Sequence, residues 1–222
     1  PKVDHHQWCE DLSVVEFEQT PSGYETCWVI AEDSCCNCGY TYGGNTHAQE
    51  SMTPRTQELL FQTMERLGRV EKAAYPYGSN INRYAPGRQV GWHRDNEKIL
   101  MRGDSRTDAT LIIATSVCGC GEFGLRPRAS KPGKLGKSIP NTSQHRRIEP
   151  GDVIVRTGNL QSAAEHMAKT PIDGEVRTNF TFRFIRNHLE GCPACRIHRG
   201  PERIWVIDME SMLPDLKIED DA

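Results

Sequence analysis

The sequence predicts a mainly β fold with flanking helices, an α+β class built as a sandwich or jelly roll. Three observations predict it. Short runs with period-2 alternation succeed one another from residue 79 to residue 185, turn signals separate them, and a single segment carries a convincing helical stripe. Alternating βαβ units would need a helical pattern between every pair of strands, and none is present.

Taken in order, Tyr24 to Ile30 is the first strand-like run. A helix follows over 53–67: Thr53 can cap it, Pro54 suits its first turn, Leu60, Met64 and Leu67 make an i, i+4, i+7 stripe, and Gly68 can end it. Strands are then predicted at 79–84, 90–95, 109–117, 152–156 and 176–185, with Ala85-Pro86-Gly87 and Pro150-Gly151-Asp152 as turns between them. The tail leaves this pattern. Three parts are expected: an acidic N-terminal segment, 1–23; a main domain, 24–186; and a C-terminal extension, 187–222, with a C-x-x-C turn.

The 222 residues can bury a core without covalent staples, and no apolar run approaches the ~18–20 residues of a membrane helix. No charged-then-apolar leader opens the sequence, and its first residue is Pro, so the chain is expected to begin inside a longer protein. A net charge of −3 gives no global sign of nucleic-acid binding. The charge is uneven, however. Residues 1–35 hold eight acids against one base, while 125–147 hold seven bases (Arg126, Arg128, Lys131, Lys134, Lys137, Arg146, Arg147) and no acid. That basic stretch, rich in Gly, Pro and Ser, is expected to be a mobile surface loop able to meet phosphates, with Arg126 and Arg128 the best placed.

His93-Arg94-Asp95 is the first candidate site. On a strand, residues i and i+2 share a face, so an imidazole and a carboxylate converge there. A distant second His would complete a two-His-one-carboxylate metal triad. In the run 177–183, Arg177, Asn179, Thr181 and Arg183 share one strand face, and Thr178, Phe180 and Phe182 the other. Two arginines turned into a β-fold interior are costly to bury without an anion, and a dicarboxylate suits a guanidinium fork.

The series Asn82-x-Tyr84-x-x-Gly87, His93-x-Asp95, a distal His and Arg177-x-Asn179-x-Thr181-x-Arg183 resembles the AlkB family of Fe(II)- and 2-oxoglutarate-dependent dioxygenases over about residues 24–186. Cys38 to Gly44 is similar to the start of the substrate lid in the nucleic-acid repair members. The resemblance implies a double-stranded β-helix (jelly-roll) core, with Fe(II) held by His93, Asp95 and His166, and 2-oxoglutarate and O2 as cosubstrates. It implies that Arg177, beside Asn82 and Tyr84, takes the distal carboxylate of 2-oxoglutarate, and that Arg183, with Asn179 and Thr181, holds the chelating end. Tyr42 would stack on an extruded base and Glu97 would meet its exocyclic nitrogen. The implied reaction is oxidative removal of N-alkyl groups from bases in DNA or RNA, as in DNA repair or RNA modification. Ala163-Ala164-Glu165 stands where the repair enzymes often have a bulky aromatic, which implies a wider or differently filled pocket.

Two other readings stand beside this one. The same chemistry could serve a protein side chain or a small molecule, and a nucleic-acid-binding module could keep the site without catalysis. The nine cysteines and missing leader point to an intracellular protein, nuclear or cytoplasmic, with reduced thiols. A monomer is expected, with nucleic acid and no membrane as partner. Cys118 and Cys120, two thiols on one strand face, are candidate ligands of a structural zinc together with Cys192, Cys195 and His198.

Overall fold

The computed structural model describes residues 11–34, 36–42, 45–68, 77–95, 97–100, 111–131, 134–139, 142–156, 160–185 and 190–193. The strands are β1 (Glu18–Gln19), β2 (Glu25–Ile30), β3 (Tyr40–Tyr42), β4 (Asn45–His47), β5 (Gln49–Ser51), β6 (Gly78–Tyr84), β7 (Gln89–His93) and β8 (Ile112–Cys118). They continue as β9 (Gly121–Lys131), β10 (Lys134–Ser138), β11 (Gln144–Ile148), β12 (Val153–Arg156), β13 (Ala164–Lys169) and β14 (Arg177–Arg183). Helix α1 spans Pro54–Arg66, and the one-turn α2 spans Leu160–Ala163.

A major sheet has the order β1-β2-β6-β14-β8-β12, with β5 added parallel to β2. A minor sheet runs β10-β9-β13-β7, with β11 also on β9, and β3 pairs β4 as a separate ribbon. Residues of both sheets line one cavity, so the two sheets form the jaws of a jelly roll.

Helix α1 begins as its sequence dictates. The Thr53 hydroxyl accepts from the Thr56 amide at 3.2 Å, Pro54 occupies the first turn, and Gly68, at φ 69°, follows its end. Its Leu59, Leu60 and Met64 pack with Val29, Ile81, Ile113, Phe180 and Phe182 on the outer face of the major sheet. Leu12 and Val15 join the same cluster, so the acidic N-terminal stretch contributes to the core before β1 pairs with β2. The alternation of β14 is resolved as its sequence predicts. Phe180 and Phe182 enter the core, while Arg177, Asn179, Thr181 and Arg183 line the cavity.

Three local expectations are corrected. The basic stretch 125–147 is not a loop: most of it lies in β9, β10 and β11, because a ladder bonds through backbone amides whatever the side chains carry. Strand β7 ends at His93, so Asp95 is not the same-face neighbour on a continuous strand. Strand β8 ends at Cys118, and Gly119 follows at φ 63° with its α-carbon so close to β14 that a β-carbon would lie 2.5 Å from the Val176 carbonyl. Cys118 and Cys120 therefore share no strand face.

Candidate active site

The centre of the cavity is built by one register pair. His93 closes β7 and His166 lies opposite it on β13, with ring centroids 4.2 Å apart. Asp95, two residues past the end of β7, turns in beneath them: its Oδ1 is 3.7 Å from His93 Nε2 and its Oδ2 is 3.5 Å from His166 Nε2. The three sequence-predicted ligands thus converge, one ligand atom from each within 4.8 Å of the others.

The chemistry of this donor set suits a divalent cation. His93 Nδ1 lies 2.7 Å from the Gly91 carbonyl, which fixes the proton on Nδ1 and leaves Nε2 as a lone pair facing the centre. Burial pushes the His93 pKa down, and burial followed by the nearby Arg156 charge pushes that of His166 well down, so both rings are neutral. Burial works against the charge of Asp95, but the Arg156 and Arg183 charges outweigh it and hold this carboxyl well below its ordinary value. Two neutral imidazoles and one carboxylate make the donor set of an octahedral Fe(II) site with open positions.

Arginine 156 is the residue the sequence reading missed. It ends β12, is buried, and places Nη1 2.5 Å from Asp95 Oδ2 and 2.6 Å from His166 Nε2. A positive charge thus already sits where the site attracts one. The signal was available: in Val153-Ile154-Val155-Arg156, Ile154 and Arg156 share a face, and both line the cavity.

Beside the triad, Arg183 donates through Nη2 to Asp95 at 2.8 Å, and through Nη1 to Asn80 Oδ1 and the Tyr40 hydroxyl, both at 2.5 Å. Glu97 lies in the same charge cluster, and burial, then the Asp95 charge, raises its pKa to about 7. Its Oε2 is buried without a hydrogen bond.

Further along β14 the electrostatics change. Arg177 is 3% exposed and donates to Asn179 Oδ1 at 3.3 Å and Ser116 Oγ at 3.2 Å; its Nε has no partner. No acidic side chain among the described residues forms an ion pair with it, and burial lowers its pKa. The guanidinium sits 5.4 Å over the ring of Tyr84, which stacks on Tyr24. Gly121 makes room for it: a β-carbon there would stand 2.5 Å from Arg177 Cδ. Asn82 and Thr181 also line the cavity, Asn82 accepting from Thr26 and Thr181 from Asn179. Asn179 is thus shared between Arg177 and Thr181.

The residues assigned to substrate are less concentrated. Tyr42 ends β3, and its side chain lies outside the described part of the structure. Arg126 and Arg128 do not reach out freely: both are ion-paired with Glu165 of the neighbouring strand, Arg126 at 2.7 Å, and Arg126 also lies 4.5 Å over the ring of Trp92. Of the expected zinc ligands, Cys118 is in the core beneath α1, Cys120 contacts Arg147, and Cys192 meets Cys36 and Cys38 instead. Cys195 and His198 lie outside the described residues.

The family described as the 2OG-Fe(II) oxygenase superfamily matches residues 5–183. No curated protein matches the chain. Among solved structures, that of OsALKBH1 aligns with a TM-score of 0.48 and 14% identity over 82% of this chain and 94% of that one. A prolyl-4-hydroxylase of Pseudomonas putida aligns with a TM-score of 0.41 and 12% identity over 81% and 83% of the two chains. The CENP-C cupin domain of Drosophila melanogaster aligns with a TM-score of 0.37 and 10% identity over 77% and 75%.

Proposed function

The chain belongs to the 2OG-Fe(II) oxygenase superfamily, and on that premise we propose that it oxidatively demethylates N-alkylated bases in DNA or RNA. The observation that carries the dioxygenase half is the pairing of two opposite sites within one cavity. A cation-seeking triad stands at one end, and a buried guanidinium with no acidic partner among the described residues stands at the other. A 2-oxo dicarboxylate has the chemistry to join them, chelating end to the metal and distal carboxylate to Arg177.

In this reading His93, Asp95 and His166 hold Fe(II), which when bound supplies the activation of O2 coupled to decarboxylation of 2-oxoglutarate to succinate. Arg177 clamps the distal carboxylate, with Ser116 and Asn179 orienting its fork and Tyr84 covering its face. Arg183 holds Asp95 in place and lies beside the chelating end, with Thr181. Hydroxylation of an N-methyl carbon gives a hemiaminal, which releases formaldehyde and the unmethylated base. Glu97, half protonated near neutral pH, can either donate to or accept from the edge of that base.

Nucleic acid is favoured as substrate by the placement of the basic strands. Arg126, Arg128, Arg146 and Arg147 lie on β9 and β11, in the same sheet that carries His93 and His166. A cationic surface on this sheet can track a phosphate backbone. One observation favours the second reading, a protein or small-molecule substrate: Glu165 already engages both Arg126 and Arg128 in ion pairs.

Mass spectrometry of nucleosides tests the proposal. The protein is incubated with Fe(II), 2-oxoglutarate and ascorbate, beside a His93→Ala control, on single- and double-stranded DNA and RNA carrying 1-methyladenine, 3-methylcytosine or N6-methyladenine. Loss of one mark, absent in the control, is expected. Succinate formation without loss of any mark would overturn the base substrate and leave the dioxygenase; no succinate would overturn both.

A further inference from the structure

Away from the active site, three thiols meet. Cys36 and Cys38 precede β3, and Cys192 lies past the end of β14, more than 150 residues later in the chain. The sulfurs of all three lie within 4.8 Å of one another, and those of Cys36 and Cys192 are 3.8 Å apart. Cys38 and Cys192 are 0% and 3% exposed, set among Trp28, Ile30, Leu100 and Ile185. The described cysteines form no disulfide with one another.

We propose that Cys36, Cys38 and Cys192 bind a structural zinc ion. The spacing is that of a metal site. Zinc–sulfur bonds of about 2.3 Å at a tetrahedral centre place their sulfurs about 3.8 Å apart, the separation found between Cys36 and Cys192. A disulfide would need about 2.05 Å and would use only two of the three sulfurs. Three soft thiolates select zinc over hard cations, and the donors are all sulfur, unlike those of the iron triad. The fourth corner falls to a further ligand.

The ion would act as a cross-link between distant parts of the chain. It ties the strand that begins with Tyr40 to the segment that follows Arg183, and these two side chains already touch at 2.5 Å. Cys38 is also fixed from the other side, since the Trp28 indole donates to its carbonyl at 2.9 Å. The position is suited to setting the angle at which β3 leaves the cavity wall.

The experiment measures metal directly and needs no turnover. The full chain is prepared with His93 and His166 both replaced by alanine, so that the triad holds no zinc, and its zinc content is read by plasma mass spectrometry. About one equivalent is expected. Replacing Cys36 and Cys38 together by serine on that background should lower the zinc content at least tenfold. If the serine variant fails to fold, cobalt substitution of the parent decides. Cobalt bound to thiolates shows an intense sulfur-to-metal charge-transfer band in the near ultraviolet, which a His-Asp-His site cannot give. Folded protein that takes up no zinc, zinc retained after loss of both thiols, or cobalt bound without the charge-transfer band would overturn the proposal. So would a thiol count showing Cys36 and Cys192 joined as a disulfide.

Discussion

Replacing Arg156 by methionine should tighten metal binding. Its Nη1 lies 2.5 Å from Asp95 and 2.6 Å from His166, so a metal ion joining the same two atoms must displace it. In the metal-free protein the guanidinium stabilises the Asp95 charge, and once a dication is bound it repels that dication. Both effects weaken affinity, and both vanish in the variant. A pair of unit charges about 4 Å apart at an effective dielectric of 20 interacts by about 4 kcal/mol. Arg183 keeps its own contact with Asp95 Oδ1 at 2.8 Å and limits what is lost on the metal-free side. A net gain of about 2–4 kcal/mol follows, a dissociation constant lower by about thirty- to several-hundred-fold. Methionine keeps the volume of the buried stem without adding a donor. Titration with Mn(II), following the free ion by paramagnetic resonance, measures the change, with circular dichroism as the check on folding. A folded Arg156→Met protein that binds Mn(II) as weakly as the parent, or more weakly, refutes the reasoning and would make Arg156 a support of the bound site.

Arg177→Met should raise the KM for 2-oxoglutarate by about thirtyfold or more while leaving Mn(II) affinity within a factor of about three. Because it also removes a buried charge with no acidic partner among the described residues, the metal-free variant should gain about 1–3 kcal/mol against urea. Gly121→Ala drives a β-carbon into Arg177 Cδ and to within 2.9 Å of the Lys169 carbonyl on β13, and should raise the same KM about tenfold. Glu97 is raised from 4.5 to about 7, so it holds its proton in the folded state after the unfolded chain has lost its own. Stability is therefore lost as pH rises from about 4.5 to 7 and stays lower above. Glu97→Gln should be more stable than the parent by about 1–3 kcal/mol at pH 8 and equal to it near pH 4, in metal-free denaturation. An advantage independent of pH would count against this assignment. Glu165→Gln releases Arg126 and Arg128 and should tighten binding of single-stranded oligonucleotides, with a salt slope steeper by up to about 1.4, as read by fluorescence anisotropy.

What could be read from the chain was what is local. Thr53, Pro54 and Gly68 punctuate α1 because capping and left-handed termination act within one turn. The face of β14 was readable because a strand sorts its side chains by parity alone, and Arg177 through Arg183 do so without a break. Strands β9 to β11 were not: Gly, Pro, Ser and Lys signal a loop, and the pairing of β9 with β13, β10 and β11 makes the segment extend. The convergence of Asp95 on His93 was correctly expected but for an incomplete reason, since the strand stops at His93 and the turn after it does the placing. The cysteine partners depended on which distant segments meet, which spacing within each pair cannot supply. Arg156 was legible and passed over, because a polar residue at a strand end reads as solvent-facing until its neighbour Ile154 is known to point inward.

The register of β7 against β13 has a further consequence. His93 and His166 are direct partners across that ladder, and an irregularity follows between His166 and Ala168. A slip of one residue would turn one imidazole to the opposite face of the sheet. Metal affinity therefore reports on how two strands more than seventy residues apart were aligned, and a chain that closes its sheet in the wrong frame forfeits the ion's stabilisation. The cofactor site doubles as a proofreader of assembly, rewarding only the alignment that can also catalyse.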